Sequence, residues 1–96
     1  MMIRPNLDID TVVVKKSGID TTDIDGEKAM MDLDNGRYFI LNEVGSSIWD
    51  IISEPCSVRE IVSHLMKEYD VDAATCEHST LKFLEELNNA EFITIK

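Results

Sequence analysis

The sequence predicts an α+β domain in which a three-stranded antiparallel sheet precedes three helices, in the order β-β-β-α-α-α. Two observations carry that expectation. Up to Leu41 the chain holds β-branched runs and an Asn-Gly turn, the chemistry of strands and hairpins, whereas from Asn42 onward apolar residues recur at helical spacing. A length of 96 residues fits one domain with one core.

Thr11 to Lys15 reads Thr-Val-Val-Val-Lys, a β-branched run suited to a first strand, and Ser17-Gly18 supplies a turn after it. The stretch from Asp20 to Gly26 is acidic and rich in turn formers, which reads as a mobile loop or a short irregular strand. Met30 to Leu41 carries the strongest local signal. Its Asn35-Gly36 pair suits a type I′ turn, in which both central residues take positive φ. With those two residues as the loop, Leu33 opposes Tyr38, Met31 opposes Ile40 and Met30 opposes Leu41. Both faces of that hairpin are apolar, unlike a strand that covers helices with one face and meets water with the other.

In the helical half, Val44, Ile48, Ile51 and Ile52 mark one stripe of a helix from about Glu43 to Ser53, with Asn42 as its N-cap. Pro55 ends that helix. Ser57-Val58-Arg59-Glu60 is a capping box, and Cys56 with Ile61 sits where a hydrophobic staple would. The second helix then runs to about Tyr69 on an apolar face of Val58, Ile61, Val62, Leu65 and Met66. Asp72 caps a third helix from about Ala73 to Asn89, whose stripe of Ala73, Cys76, Thr80, Leu81, Phe83, Leu84 and Leu87 is broad enough to serve two surfaces. Phe92 to Ile95 suits a short terminal strand.

Composition excludes several classes of function. Nineteen acids against nine bases give a net charge of −10, which repels nucleic-acid phosphates and anionic lipid and favours basic peptide or protein partners. No run approaches the roughly 20 apolar residues of a membrane helix, and the first residues lack an apolar signal region, so a cytoplasmic protein is expected. Cys56 and Cys76 form no CxxC pair and read as buried thiols in a reducing compartment. Together with His64 and His78 they match no compact zinc spacing. There is no nucleophile elbow, no His-Glu-x-x-His and no phosphate-cradling glycine loop. Neither the acids from Asp20 to Asp25 nor Glu85-Glu86 has calcium-loop spacing. Neither an enzyme, a metal nor a cofactor is expected.

What remains is a surface. In a meander the strand from Arg37 to Leu41 forms a sheet edge, and Tyr38 to Leu41 carries none of the charges, prolines or bulges that normally guard one. A peptide adding there gains main-chain hydrogen bonds, while its alternate side chains enter pockets walled by the third helix. Three other coverings compete for that apolar strand: the acidic loop folded over it, the C-terminal segment paired to its edge, or a second copy of the chain.

The same residues carry a family resemblance. Gly36-x-Tyr38-x-x-Leu41-Asn42-Glu43-x-Gly45-x-x-Ile48-Trp49, then Ser57-Val58-x-Glu60-Ile61-Val62, Tyr69-Asp70-Val71-Asp72 and Phe83-Leu84-x-x-Leu87 before Phe92-Ile93, resemble in order and spacing the PqqD family. Its members are small, winged helix-turn-helix-like recognition elements for ribosomally made precursor peptides, and the likeness extends from Thr11 to Ile95. The resemblance implies that a precursor's leader peptide lies along Arg37, Tyr38, Phe39, Ile40 and Leu41, against a helix wall of Cys76, Thr80 and Phe83 with Leu84 or Leu87. It further implies that Glu77 or Glu85 meets leader lysines.

A stand-alone acidic member looks most like the recognition protein of lasso-peptide biosynthesis, which presents the leader to a separate leader peptidase. There the leader offers a Tyr-x-x-Pro motif, and Tyr38, Ile40 and Phe83 suit its pockets. Delivery to a radical-SAM or other maturation enzyme is the alternative within the family, and a structural homodimerisation module is the alternative outside it. A monomer or weak homodimer is expected. A DNA-binding winged helix is rejected on charge, because Ser57 to Glu91 holds eight acids and three bases.

Overall fold

The computed structural model describes residues 7–25 and 27–96. Positions 1–6, read above for an export signal, and Gly26, at the end of the acidic stretch, lie outside the described residues. The elements are β1 (Val12–Lys15), β2 (Asp20–Ile24), β3 (Glu27–Asp32), β4 (Arg37–Leu41), α1 (Glu43–Ile51), β5 (Cys56–Ser57), α2 (Val58–Glu68), α3 (Ala73–Asn89) and β6 (Ile93–Ile95). The chain is α+β with strands first and helices after, as expected.

The strands form two sheets where one meander was expected. β2, β3 and β4 make one antiparallel sheet in that order, while β1 lies between β5 and β6 in the other. The Thr11 to Lys15 run therefore does not pair with the hairpin. Its place is taken by the acidic stretch, all five residues of which are exposed along β2. A strand that buries neither face shows no alternation of apolar and polar residues, so its sequence reads as a loop. Thr21, Thr22 and Ile24 supply the β-branched content that the pairing with β3 uses. The two-residue β5 left no signal either, being shorter than any period.

The hairpin forms, but its register is shifted by two residues. Asp32 opposes Arg37, Met31 opposes Tyr38, Met30 opposes Phe39 and Ala29 opposes Ile40, leaving a four-residue loop over 33–36. Asp32 is the cause. Its carboxylate accepts from the backbone N of Asn35 at 3.4 Å and from Asn35 Nδ2 at 2.7 Å. That turn needs positive φ only at Gly36 (66°), whereas a type I′ turn would need it at Asn35 too. Because side chains alternate with period two, an even shift leaves each residue on the face expected of it. Met30 and Leu41 are buried against the helices, while Tyr38 and Ile40 point away from the core at 70% and 56% exposure.

All three helix caps are as the sequence indicates. Asn42 Oδ1 accepts from Gly45 N at 2.8 Å, Ser57 Oγ from Glu60 N at 3.1 Å, and Asp72 Oδ2 from Thr75 N at 3.1 Å. The first helix stops at Ile51, with Ile52 as its C-cap, slightly short of the expected Ser53. One core joins both sheets to the helices: Trp49, Phe92, Met30, Leu41, Ile61, Leu65, Leu84 and Leu87 are all fully buried. β6 is present and pairs with β1. It does not cover β4, and neither does β2, which sits on the far side of β3.

Two turn-forming carboxylates make the fold acid-sensitive. The Asn35 side-chain amide holds Asp32 below the usual aspartate range, and the Thr75 amide does the same for Asp72 at the start of α3. A folded pKa below the unfolded one means that the stability each adds is complete above about pH 4 and is lost as pH falls through the folded value. The urea midpoint should therefore drop on acidification below about pH 4. It should drop less steeply in an Asp32→Asn, Asp72→Asn double variant, as chemical denaturation at stepped pH would show.

Candidate functional site

The turn from β4 into α1 builds one wall of a groove. Asn42 leaves the strand, caps the helix through Gly45 N, and so swings the start of α1 against α3. Gly45 makes the approach feasible. A β-carbon there would lie 3.3 Å from Asn42 Oδ1, tighter than ordinary side-chain contact, and 3.4 Å from both Leu41 Cδ2 and Phe83 Cζ, at the near limit of it. On the other side Tyr69 is tied back to α1, its hydroxyl 3.2 Å from Ser47 Oγ.

Between these walls runs a groove of about 530 Å³, large enough for several side chains of an extended peptide. β4 contributes Phe39, Ile40 and Leu41. The third helix contributes Thr75, Cys76, Ser79, Thr80, Phe83 and Glu86, and Val44, Ile48, Leu65, Tyr69 and Val71 also line the groove. Phe39 is braced from behind by Phe92, edge to face with ring centroids 5.0 Å apart.

The groove thus brings together Phe39, Ile40, Leu41, Cys76, Thr80 and Phe83 out of the residues singled out in the sequence. It leaves out the rest. Leu84 and Leu87 face the core with no exposed surface, which a helix stripe shared between two surfaces does not reveal by spacing alone. Tyr38 lies on β4 but points to the outer face of the sheet, and Arg37 stands at the strand's start, 4.0 Å from Glu91 Oε2. Neither Glu77 nor Glu85 lines the groove; Glu86 does. The sequence reading also passed over Val44, Leu65, Tyr69 and Val71 as wall residues. Tyr69-Val71 held a signal, being an apolar pair just outside α2 with no helix of its own to pack.

The two edges of the β2-β3-β4 sheet differ in kind. β2 carries Asp20 and Asp23, with Asp25 just beyond, whereas β4 carries one charge, at Arg37, before four uncharged residues. Among the described residues no strand pairs with β4 on its outer side. For chemistry the groove offers little. No group of three or more His, Cys, Asp or Glu that could hold a metal occurs among the described residues. His64 and His78 are exposed on the helices. Cys56 is a buried free thiol away from the groove, pushed up in pKa by desolvation and by the neighbouring Glu60.

Residues 27–93, more than two-thirds of the chain and running from the start of β3 to the first residue of β6, match the family model described as Coenzyme PQQ synthesis protein D (PqqD). The chain belongs to the PqqD family. Every groove residue named above falls inside the matched segment, while β1 and β2 precede it. Among solved structures, this PqqD-family chain resembles TbiB1 in complex with the TbiA(beta) leader peptide, with 35% sequence identity and a TM-score of 0.75. The similarity covers 83% of this chain and 93% of TbiB1. No curated protein matches the chain.

Proposed function

We propose that this protein binds the leader peptide of a ribosomally made precursor, taking it up as an added β-strand on β4 and against α3. It then presents the precursor to a separate processing enzyme of the lasso-peptide type, a leader peptidase. The observation that carries the reading is an unguarded sheet edge opening onto an apolar groove of about 530 Å³. TbiB1, 35% identical, is a protein solved with a leader peptide bound, which supports the identity of the guest.

The two halves of the site do different work. Main-chain hydrogen bonds to β4 are sequence-blind and contribute about 0.5–1.5 kcal/mol each. Side chains entering the groove add about 1.5–3 kcal/mol apiece when fully buried. Association itself costs at least about 4 kcal/mol, so neither half alone holds a peptide firmly. The protein acts by holding and presenting its guest, not by catalysis, and it works in the cytoplasm, where precursors are made.

Phe83 tests the groove half. Its ring stands on the wall opposite β4, so Phe83→Ala should weaken binding of the leader encoded beside this gene about tenfold or more by calorimetric titration. Unchanged affinity would remove α3 from the site. Failure of any neighbouring leader to bind, together with a dimer that persists on dilution, would replace the proposal with homodimerisation through β4.

A further inference from the structure

The hairpin turn that leads into β4 carries a reactive pair. Asn35-Gly36 is the one Asn-Gly step in the sequence, and both residues are exposed in the loop over 33–36. Gly36 has φ 66°, and a β-carbon built on it would meet nothing within 4 Å, so the space beside its main chain is open. The other described asparagines are held differently. Asn42 caps α1 through Gly45 N, while Asn88 and Asn89 end α3, where the following main-chain nitrogens belong to the helix ladder.

In the folded turn one contact stands against reaction. Asn35 Nδ2 donates to Asp32 Oδ2 at 2.7 Å and Asn35 N to Asp32 Oδ1 at 3.4 Å, so the side-chain amide is held back towards β3 and away from Gly36. A hydrogen bond to a charged acceptor is among the stronger kinds, and the amide must leave it before its carbon can meet the next nitrogen. Asp32 is buried, and Asn35 supplies two of the donors that satisfy its carboxylate.

We propose that Asn35 is a site of spontaneous covalent modification, with Asp32 as its brake, and that the modified chain loses the turn on which the β3-β4 register depends. The Gly36 main-chain nitrogen, giving up its proton to water or hydroxide, attacks Asn35 Cγ. A carbon-nitrogen bond forms, the bond from Cγ to Nδ2 breaks, and Nδ2 leaves as ammonia, closing a five-membered cyclic imide. Water then opens the ring at either carbonyl. Attack at Cγ restores the main chain with an aspartate at 35. Attack at the main-chain carbonyl routes the chain through Cγ as an isoaspartate and adds a carbon to the turn. The balance is one water consumed for one ammonia released, with no oxidant or reductant. Either product carries a carboxylate in place of the amide that Asp32 accepts from, so two like charges meet and a buried carboxylate loses a partner.

The test is peptide mapping of the full chain aged in warm, mildly alkaline buffer. The tryptic segment from Ala29 to Arg37 should gain the mass of an amide-to-acid exchange before any segment holding another asparagine, and isoaspartyl methyltransferase should label it. Asp32→Ala should speed the reaction about tenfold, with Asp32→Asn, which keeps one acceptor oxygen, in between. Far-ultraviolet circular dichroism checks that both variants stay folded. Asn35→Gln, whose longer side chain would have to close a six-membered ring, should stay unmodified. In the aged protein, amide exchange along β3 and β4 should quicken and the urea midpoint should fall, and fresh Asn35→Asp should show the same fall. Earlier modification at a different asparagine, or an unchanged rate in folded Asp32→Ala, would overturn the inference. So would aged protein with the amide exchange and urea midpoint of fresh protein.

Discussion

Ile40→Pro is expected to abolish leader binding while leaving the helices folded. Proline supplies no amide hydrogen, fixes φ, and disrupts the regular edge that a guest strand must match. Ile40 is the position at which this damage stays local, because its side chain faces away from the core on an edge strand. The same change at Phe39 would also remove the ring packed on Phe92. Ile40→Ala is the control: it keeps the backbone donor and should bind within a few-fold of the parent. A helical circular-dichroism spectrum in both variants assigns the difference to the main chain of β4. If Ile40→Pro bound the leader normally, strand addition at this edge would be wrong.

Trp49→Ala should have the largest effect on stability. The only tryptophan of the chain is 2% exposed, within the core that joins α1 to both sheets, and Lys15 Nζ lies over its ring at 4.9 Å. Truncating a buried aromatic of that size costs about 3–5 kcal/mol through lost burial and the cavity left behind. Small domains have only about 5–15 kcal/mol in total, so the loss takes a large share of it and should lower the urea midpoint sharply. Partial burial also lowers the pKa of Lys15, against the opposing pull of Asp50. Urea denaturation followed by far-ultraviolet circular dichroism gives the loss directly. Trp49→Phe should recover most of it.

How much of this was legible beforehand varies with the kind of signal. Caps were readable because a single side chain and a single amide decide them: Asn42, Ser57 and Asp72 needed no tertiary context. The hairpin was readable, but not its register, which depended on whether Asp32 or the Asn35-Gly36 backbone controlled the turn. Asp32 sits outside the dipeptide that signals such turns, and its two bonds to Asn35 outweighed the dipeptide's own preference. Sheet membership was hidden. Pairing partners are set by which strand finds an open edge near it, and β2, polar on both faces, gives periodicity nothing to register. In the candidate site β4 supplies Phe39, Ile40 and Leu41 to the groove but not Arg37 or Tyr38; the uncharged run from Tyr38 to Leu41 is a local property and was legible. The helix wall was only half legible, since the angle at which α3 meets β4 decides that Thr80 and Phe83 line the groove while Leu84 and Leu87 do not.

The unequal edges of the β2-β3-β4 sheet bear on how large an assembly this chain can build. A sheet open at both sides can stack copy upon copy, β4 of one molecule onto β2 of the next, into a filament without end. Here Asp20, Asp23 and Asp25 guard the β2 side, so growth proceeds from one side alone. Two copies meeting β4 to β4 consume both open edges and close as a pair. A guest strand on β4 would consume the one unguarded edge of this sheet, so its binding would compete with that pairing.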